Sequence, residues 1–311
     1  MNTLIVIVGP TGIGKTELCI KIAERFNVPI INADSRQIFK EIPIGTAAPT
    51  NEEMQRATFF FAGIKNINEY YNASMFEKDV IKTLDEIFAT KDRALMCGGC
   101  MMYIDAVCNG IDDIPNVKQD IRNEVQEEYR EHGIDKLRHT LKSIDPDYYN
   151  IVDLNNHKRI VHAIEICLST GNTYSSYRTN TKKLRPFRII KIGLNMERKQ
   201  LYDRIDRRVD KMIRSGLIEE AKSMYPFRQQ NALNTVGYKE LFNFFDGNSS
   251  LEEAIFKIKS NTHKYCRKQI TWFKRDNSIK WFSPDNIEEI INYINALDRD
   301  STFSYICNYK R

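Results

Sequence analysis

The feature that most constrains this chain is a glycine-rich loop near its start. Residues 9–16 read Gly-Pro-Thr-Gly-Ile-Gly-Lys-Thr, after the apolar run Leu4–Val8 and before a helical pattern that starts near Glu17. The order of strand, G-x-x-x-x-G-K-T and helix is that of a phosphate-binding P-loop, in which Lys15 supplies a full charge and Thr16 can offer its hydroxyl to Mg²⁺. The alternative is a glycine-rich turn that only caps a helix, but the flanking strand and helix favour the P-loop.

Bulk properties exclude several classes of protein. The chain has 311 residues, of which 42% are hydrophobic and 28% charged, with a net charge of +5. This length suits about two domains of a globular protein. No apolar run approaches the ~18 residues of a membrane span. A strand begins within a few residues of the N-terminus, so we expect no signal peptide. The seven cysteines are scattered, which favours a reduced, cytoplasmic setting.

Short β-rich runs alternate with helical patterns along the chain. Most of these runs are continuously apolar, as in strands that are buried on both faces of a parallel sheet. The expected strands are Leu4–Val8, Val28–Ala33, Ala94–Cys97, Arg188–Leu194 and, as a fifth candidate, Ile279–Phe282. The sequence therefore predicts an α/β fold with a P-loop NTPase-like parallel sheet flanked by helices.

The gap between the third and fourth expected strands is too long for one crossover helix. Residues 115–185 are therefore predicted to form a helical insertion, bounded by Pro115 and Pro186. The core domain would comprise residues 1–114 and 186–311. Within the insertion, helical patterns cover Gln119–His132, Ile134–Ser143 and His157–Ser169.

A long basic stretch lies near the C-terminal end of the chain. Residues 254–275 contain seven lysines and arginines and no acidic residue. Residues on one side of a predicted helix recur at helical spacing; they are Leu251, Ile255, Ile258, Thr262 and Tyr265. Solvated faces usually mix charges of both signs, so this cationic face favours contact with nucleic acid. Tyr265, Trp272 and Phe273 lie among the cations and either stack on bases or belong to the core.

The second expected strand ends in Asp34-Ser35-Arg36-Gln37. Ligands of open α/β sheets bind beyond the carboxyl ends of the strands, so Asp34 should face the P-loop. A carboxylate there can hold Mg²⁺ or accept a proton from a nucleophile. The alternative is that Asp34 caps the next helix, a position that Asp and Ser both suit.

The third expected strand ends in Cys97-Gly98-Gly99-Cys100, where a P-loop ATPase carries an aspartate that holds Mg²⁺. Its absence argues against a motor or switch NTPase. The two glycines indicate close backbone approach. The C-x-x-C spacing also fits a redox or zinc site. We favour a different interpretation, in which Cys97 packs within the strand and Cys100 lines the site.

Together these segments resemble the tRNA dimethylallyltransferases, also called tRNA isopentenyltransferases, from residue 4 to about residue 282. Asp-Ser-Arg-Gln and Gln-Ile-Thr-Trp are the segments specific to that family. The segments that carry the resemblance are Gly9–Thr16, Asp34–Gln37, Ile44–Ala47, Gly98-Gly99, Arg159 with Ala163 and Glu165, Val236–Tyr238 and Lys268–Trp272.

The resemblance implies transfer of a dimethylallyl group from its diphosphate to N6 of the adenosine just 3′ of the anticodon. Asp34 would be the general base, Lys15 and Thr16-bound Mg²⁺ would stabilise the leaving diphosphate, Arg208 would contact it, and Cys100 would lie near the reacting atoms. The residues implied to bind the diphosphate are Gly9, Pro10, Thr11, Gly12, Ile13, Gly14, Lys15 and Thr16. The enzyme would be cytoplasmic and monomeric, with Mg²⁺ as its cofactor.

The same resemblance implies that tRNA is held through its anticodon stem-loop, partly by the helical insertion. The residues implied to contact tRNA are Asp34, Ser35, Arg36, Gln37, Cys100, Arg122, Lys158, Arg159, Ile160, Val161, His162, Asn234, Thr235, Val236, Gly237, Tyr238 and Lys239.

The chain differs from the usual family pattern in the stretch around Thr58–Gly63, where the family has His-His-Leu-Ile-Asp, and at four single positions. Cys100 replaces threonine, Ala48 replaces lysine, Asn156 replaces aspartate and His162 replaces arginine.

Two other functions remain open. A P-loop small-molecule kinase would explain the loop but not the basic stretch, and a weakly active tRNA-binding paralogue would fit the altered positions.

Overall fold

The computed structural model describes residues 1–179 and 181–299. The chain folds into two compact units. The first unit contains Met1–Cys108 and the chain from Arg185 onward, and the second contains Asn109–Leu184. The second unit thus begins six residues before the expected start of the insertion, residue 115, and ends one residue before its expected end, residue 185. Residues 300–311 of the expected core lie outside the described residues.

Within the described residues, the first unit contains one parallel sheet of six strands in the order β3-β2-β4-β1-β5-β6. The strands are β1 (Thr3–Val8), β2 (Ile30–Asn32), β3 (Phe59–Phe60), β4 (Arg93–Gly98), β5 (Arg188–Leu194) and β6 (Lys280–Phe282). Val8 at the end of β1 pairs with Gly98 of β4 and Gly193 of β5, so the carboxyl ends meet at one edge. The strand order reverses at β1, which is where such sheets bind ligands.

Strand β1 shows why the expected strands are continuously apolar. Its side chains are all buried. Leu4, Val6 and Val8 belong to one hydrophobic cluster, and Ile5 and Ile7 belong to another. Alternate residues of a strand point to opposite faces, so both faces of this sheet need apolar side chains. The predicted fold class, a parallel sheet flanked by helices, is confirmed.

Several of the helices begin at side-chain caps. For example, the Ser250 side chain accepts from the Glu253 N–H and Glu253 bonds back to Ser250, a capping box that starts the long basic helix. The helices are α1 (Lys15–Phe26), α2 (Pro43–Thr46), α3 (Asn51–Arg56), α4 (Ala73–Phe88), α5 (Met101–Asn109), α6 (Gln119–Ile144), α7 (Pro146–Tyr149), α8 (His157–Thr170), α9 (Tyr174–Tyr177), α10 (Arg198–Arg214), α11 (Leu217–Met224), α12 (Tyr238–Phe245), α13 (Leu251–Phe273) and α14 (Ile287–Arg299), with short 3₁₀ helices at Tyr225–Phe227 and Asn231–Leu233.

The second unit has a core of its own between α6 and α8. Leu137 and Leu141 of α6 pack there with Ile160 and Ile164 of α8. The helix α6 bends at Gly133, whose φ of 72° is left-handed and non-helical. The bend separates the two helical patterns predicted on either side of it. The predicted helices of the insertion are therefore confirmed.

The main error in the predicted sheet is strand β3, which was not expected. It has only two residues, Phe59 and Phe60, and both are half-buried at the edge of the sheet. Such a short edge strand leaves no periodic signal. The second strand is also shorter than the predicted Val28–Ala33.

Membrane-spanning segments are not found among the described residues, since none of their helices combines the length and the hydrophobicity that a span requires.

Candidate active site

The P-loop connects β1 to α1 at the reversal point of the sheet. Gly12 and Gly14 have φ values of 82° and 98°, which side chains rarely adopt. A Cβ atom on Gly12 would lie 2.7 Å from Ile205 Cγ1, and one on Gly14 would lie 2.8 Å from Arg204 Nη2. Both glycines are therefore required by the loop conformation and by the close approach of α10.

The Lys15 side chain folds back onto the first residues of the P-loop. Its Nζ donates hydrogen bonds to the carbonyl oxygens of Gly9 (3.0 Å) and Pro10 (2.9 Å). Burial lowers the pKa of Lys15, and the charge of Arg208 lowers it further, whereas the charge of Asp34 raises it. These three groups are therefore within electrostatic reach of one another. A cation that is poorly hydrated in this way gains from an anionic ligand.

Asp34 lies at the carboxyl end of β2. Its Oδ1 accepts hydrogen bonds from the backbone N–H groups of Arg36 (2.9 Å) and Gln37 (3.3 Å). The carboxylate thus caps a turn and not a helix, since the next helix begins only at Pro43. Within residues 1–179 and 181–299, Oδ2 has no hydrogen-bond donor. One oxygen therefore positions the carboxylate and the other can accept a proton.

The next two side chains of this turn bind neighbouring segments. Arg36 Nη1 donates to the Asn231 carbonyl oxygen (2.8 Å). Gln37 Nε2 donates to the carbonyl oxygens of Thr46 (3.0 Å) and Ala47 (2.8 Å). These bonds tie the turn to the segment around α2 and to the 3₁₀ helix that begins at Asn231. The predicted site residues Arg36 and Gln37 therefore also shape the wall of the crevice.

The segment after β4 packs tightly against the end of β2. A Cβ atom on Gly98 would lie 2.1 Å from the Ala33 carbonyl oxygen, and the Cys100 N–H donates to that oxygen at 3.2 Å. The Cys100 thiol lies beside Ser35, and burial raises the pKa of this thiol. The charge of Asp34 raises the same pKa, which places Cys100 beside the carboxylate.

Cys97 has a different environment from Cys100. It is buried in β4, with its thiol against that of Cys19 on α1. Both Cys97 and Cys100 are free thiols. The described residues contain no cluster of three His, Cys, Asp or Glu side chains that suits a metal ion. The C-x-x-C spacing alone therefore does not make a zinc site here.

Arg208 reaches the crevice from α10. Burial lowers its pKa, and the charge of Asp34 raises it. Arg204, one helical turn earlier, lies beside Gly14 of the loop. Sequence reasoning assigned a role to Arg208 and none to Arg204. The spacing of four residues between the two arginines is the signal that would have found the second one.

A magnesium site at the loop would depend on few protein ligands. Mg²⁺ prefers oxygen ligands and usually keeps several waters, binding through one or two side chains and substrate phosphates. Thr16 is half-buried at the start of α1, and β4 ends without a carboxylate. The Thr16 hydroxyl at the start of α1 and the Asp34 carboxylate beyond the end of β2 are oxygen donors of the kind that such a site uses.

The predicted tRNA-contact segment 234–239 is tied to the half-buried carboxylate of Glu220. Glu220 accepts hydrogen bonds from the N–H groups of Ile44 (2.9 Å) and Gly45 (2.8 Å) and from the Tyr238 hydroxyl (2.6 Å). Tyr238 is 0% exposed. Its side chain therefore supports α2 from within the fold and cannot present a surface to RNA.

The predicted segment 158–162 lies at the start of α8 in the second unit. Lys158 and Arg159 are exposed, whereas Ile160 (0% exposed) and Val161 (4% exposed) are core residues. His162 lies 3.8 Å from the Glu165 carboxylate. Only part of this segment therefore presents side chains to a partner. Arg122, also predicted, lies on α6 and its Nε donates to the Val117 carbonyl oxygen at 3.4 Å.

The cationic face predicted for the basic stretch lies on α13. Its buried side consists of Ala254, Ile258, Cys266, Gln269 and Phe273. Tyr265 was expected on that side and is 39% exposed, so this expectation was wrong; it lies within reach of the charges on Asp34 and Arg36. Lys259 pairs with Asp210 at 2.6 Å. The exposed cations of this stretch are Lys257, Lys264, Arg267, Lys268, Lys274 and Arg275.

The family model for IPP transferase matches residues 37–276. The chain belongs to this family. The tRNA dimethylallyltransferase 1 of Phocaeicola vulgatus is 53% identical over 96% of this chain and 99% of its own length. The tRNA dimethylallyltransferase 2 of Parabacteroides distasonis is 54% identical over 94% of this chain and 98% of its own.

Solved structures of IPP transferases share the fold. The tRNA isopentenylpyrophosphate transferase of Bacillus halodurans superposes with a TM-score of 0.72 at 34% identity, covering 98% of this chain and 100% of the other. A eukaryotic dimethylallyltransferase acting on tRNA superposes with a TM-score of 0.78 at 24% identity, covering 100% of this chain and 81% of the other. The first comparison agrees with the family assignment, and the second shows the fold.

Of the positions expected to differ from the usual family pattern, Asn156 has a clear structural role and Ala48 contributes only its backbone. Asn156 caps α8, since its side chain accepts from the Arg159 N–H at 3.3 Å, a task for which asparagine replaces aspartate well. The Ala48 N–H donates to the Pro43 carbonyl oxygen at 3.0 Å, which any residue can do. The structure gives no reason for histidine at position 162.

Proposed function

We propose that this IPP transferase moves a dimethylallyl group from dimethylallyl diphosphate to N6 of the adenosine 3′ of the anticodon in tRNA. The observation that carries the proposal is the crevice of the first unit. There the Asp34 carboxylate, with one oxygen held and the other open, lies within electrostatic reach of Lys15 and Arg208. The names of relatives that are more than 50% identical, tRNA dimethylallyltransferases, support it.

The diphosphate would bind in the P-loop. Backbone N–H groups of residues 12–16, the start of α1 and the Lys15 ammonium group provide positive potential, and Arg208 adds a second cation. As the allylic C–O bond breaks, negative charge develops on the departing oxygens, and fixed cations in a desolvated site stabilise it strongly. Mg²⁺, held by Thr16, would add charge neutralisation of the diphosphate when bound.

Asp34 would act on the nucleophile. The exocyclic amine forms a bond to the allylic carbon as the diphosphate leaves, and it must lose one proton. Oδ2 of Asp34 would accept that proton, because Oδ1 is held by the N–H groups of Arg36 and Gln37. Cys100, beside Asp34, and Ser35 would contact the base. The adenine has to leave its stack to reach this position, at a cost of a few kcal/mol.

Contacts with RNA phosphates would offset that cost. The exposed cations of α13 and the exposed side chains of Lys158 and Arg159 provide a basic surface on each unit, and the half-buried His162 would contact the RNA beside them. Arg122 and the backbone of residues 234–239 would add further contacts with the anticodon stem-loop. One chain contains every residue with an assigned role, so we take the enzyme to act as a monomer, in the cytoplasm where tRNA is modified.

The test is a transfer assay. The protein is incubated with labelled dimethylallyl diphosphate, Mg²⁺ and total tRNA, and the RNA is digested to nucleosides. We expect labelled, prenylated adenosine with the wild type and none with Asp34→Ala. ATP consumption without labelled RNA would instead identify a kinase. Salt-sensitive tRNA binding without any transfer would identify a binding protein that retains the fold.

A further inference from the structure

Gln269 of α13 forms an unusual bridge in the first unit. Its side-chain Oε1 accepts a hydrogen bond from the backbone N–H of Thr11 at 2.8 Å. Its Nε2 donates to the backbone carbonyl oxygen of Gly99, also at 2.8 Å. The side chain is 1% exposed, although it is a polar residue on the buried side of the helix. One amide group thus joins the P-loop after β1 to the segment after β4.

We propose that Gln269 is the positioning residue that sets the conformation of the diphosphate-binding loop. It does not touch the reacting atoms. It holds the Thr11 end of the loop at a fixed distance from Gly99, and the loop N–H groups bind an anion only when they converge. This deepens the proposed function, and it rests on that function only for the identity of the phosphate compound that the loop binds.

The chemistry of the bridge requires an amide. Thr11 provides an N–H donor and Gly99 provides a carbonyl acceptor, so the bridging group needs one acceptor and one donor at the same reach. A carboxylate satisfies Thr11 and repels Gly99, and an apolar side chain satisfies neither. The packing is equally specific, since a Cβ atom on Gly99 would lie 2.4 Å from Gln269 Nε2 and 3.7 Å from Lys15 Nζ.

The bridge also connects the loop to the basic helix. Tyr265 lies one turn before Gln269 on α13, and a hydrogen bond from Gln269 lowers the pKa of the Tyr265 hydroxyl, against the effect of burial. The exposed cations of α13 do not belong to the buried side of the helix that carries Gln269. Gln269 is therefore expected to influence donor binding, whereas the exposed cations influence RNA binding. This separation distinguishes positioning from a general role in stability.

The experiment compares two substitutions at Gln269 with a matched control on the same helix. Gln269→Glu keeps the shape and the acceptor but lacks the donor. Gln269→Met keeps the length and has neither. The control is Asn261→Ala, which removes another amide of α13, bonded to Glu240 Oε1 at 2.7 Å and remote from the loop. The measurements are the Kd of inorganic diphosphate by calorimetry at fixed Mg²⁺, the KM for dimethylallyl diphosphate, the Kd for tRNA and the Tm.

We expect both Gln269 variants to weaken inorganic diphosphate binding by at least about tenfold, since each leaves a buried backbone group unpaired. Gln269→Glu should have the larger effect because it adds negative charge near the bound anion. KM for the donor should rise in parallel and the Kd for tRNA should stay within about twofold. Asn261→Ala should lower the Tm and leave diphosphate binding unchanged.

Equal loss of diphosphate binding in Asn261→Ala, or unchanged binding in both Gln269 variants, would overturn the proposal. If the variants do not fold, the wild type provides a second test by amide hydrogen exchange. The Thr11 N–H should be protected before any ligand is added; free exchange there would also overturn it. A wild type whose diphosphate binding depends on Gln269 but that transfers no prenyl group would refute the proposed function and leave this inference standing.

Discussion

The crevice of the first unit and the start of α8 in the second unit differ in what holds their side chains in place. Lys15 is bonded to two loop carbonyl oxygens, and Asp34 to two backbone N–H groups of its own turn. Lys158 and Arg159 extend into solvent from a helix whose next two residues are buried in the core. The first region is preorganised, and the second offers solvent-exposed charge.

This difference predicts how each region responds to mutation. A group that is fixed and desolvated contributes strongly at one point of a reaction, and nothing nearby replaces it. Exposed cations contribute small, salt-screened and roughly additive amounts to binding of a polyanion. The crevice should therefore control kcat, and the exposed start of α8 should control affinity for RNA.

The largest effect is expected for Asp34→Asn. The asparagine oxygen can still accept from the N–H groups of Arg36 and Gln37, so the turn should be retained. The variant cannot accept the proton, so kcat should fall about 10²–10⁴-fold. Single-turnover transfer to tRNA measures the loss, with tRNA affinity and Tm as controls. Near-normal kcat would remove Asp34 from the role of general base.

A smaller effect is expected for the double variant Lys158→Ala/Arg159→Ala. Loss of two phosphate contacts should weaken tRNA binding by about tenfold at moderate salt and lower the slope of log K against log salt by about 2. The value of kcat at saturating tRNA should not change. Lys142→Ala, which removes an exposed lysine elsewhere in the same unit, is the matched control. Equal losses in the control would show only a general effect of charge.

Tyr238→Phe is expected to affect stability rather than RNA binding. The hydroxyl donates to Glu220 inside the fold, so its removal should cost about 1–3 kcal/mol of unfolding free energy. Urea unfolding measures this loss of unfolding free energy. The control is Tyr71→Phe, which likewise removes a tyrosine hydroxyl that donates to a carboxylate, that of Asp79 at 2.7 Å. A raised KM for tRNA at unchanged stability would restore Tyr238 to the RNA surface.

The parts of the molecule that could be predicted from sequence are those in which backbone geometry dictates residue type. The P-loop requires glycines at left-handed positions, and strand β1 requires apolar residues on both faces. Asp34 was placed by the rule that ligands lie beyond strand ends. In each case a local pattern corresponds to a unique place in the fold.

The parts that could not be predicted depend on contacts distant in sequence. Gln269 was noticed as part of a motif, but its partners lie 258 and 170 residues away. Helical spacing placed Tyr265 on the buried side because it is aromatic, whereas the buried side of α13 includes a glutamine and a small cysteine, Cys266. Strand β3 is too short for any periodic pattern. Hydrophobicity alone cannot identify a polar residue that is buried because it is fully paired.

The smallest effect is expected for Cys100→Thr, which tests how tightly the wall of the crevice determines activity. A threonine hydroxyl can occupy the place of the thiol beside Ser35 and is a stronger hydrogen-bond donor. We therefore expect kcat to stay the same or rise by less than about threefold.

Alkylation provides a second measurement on Cys100. Burial raises the pKa of its thiol, so little thiolate forms near pH 8 and alkylation should be slower than for a solvent-exposed cysteine. Alkylation that does occur should inactivate the wild type and spare Cys100→Thr. A marked loss of kcat in Cys100→Thr, with unchanged circular dichroism, would show that the thiol itself takes part in positioning the base.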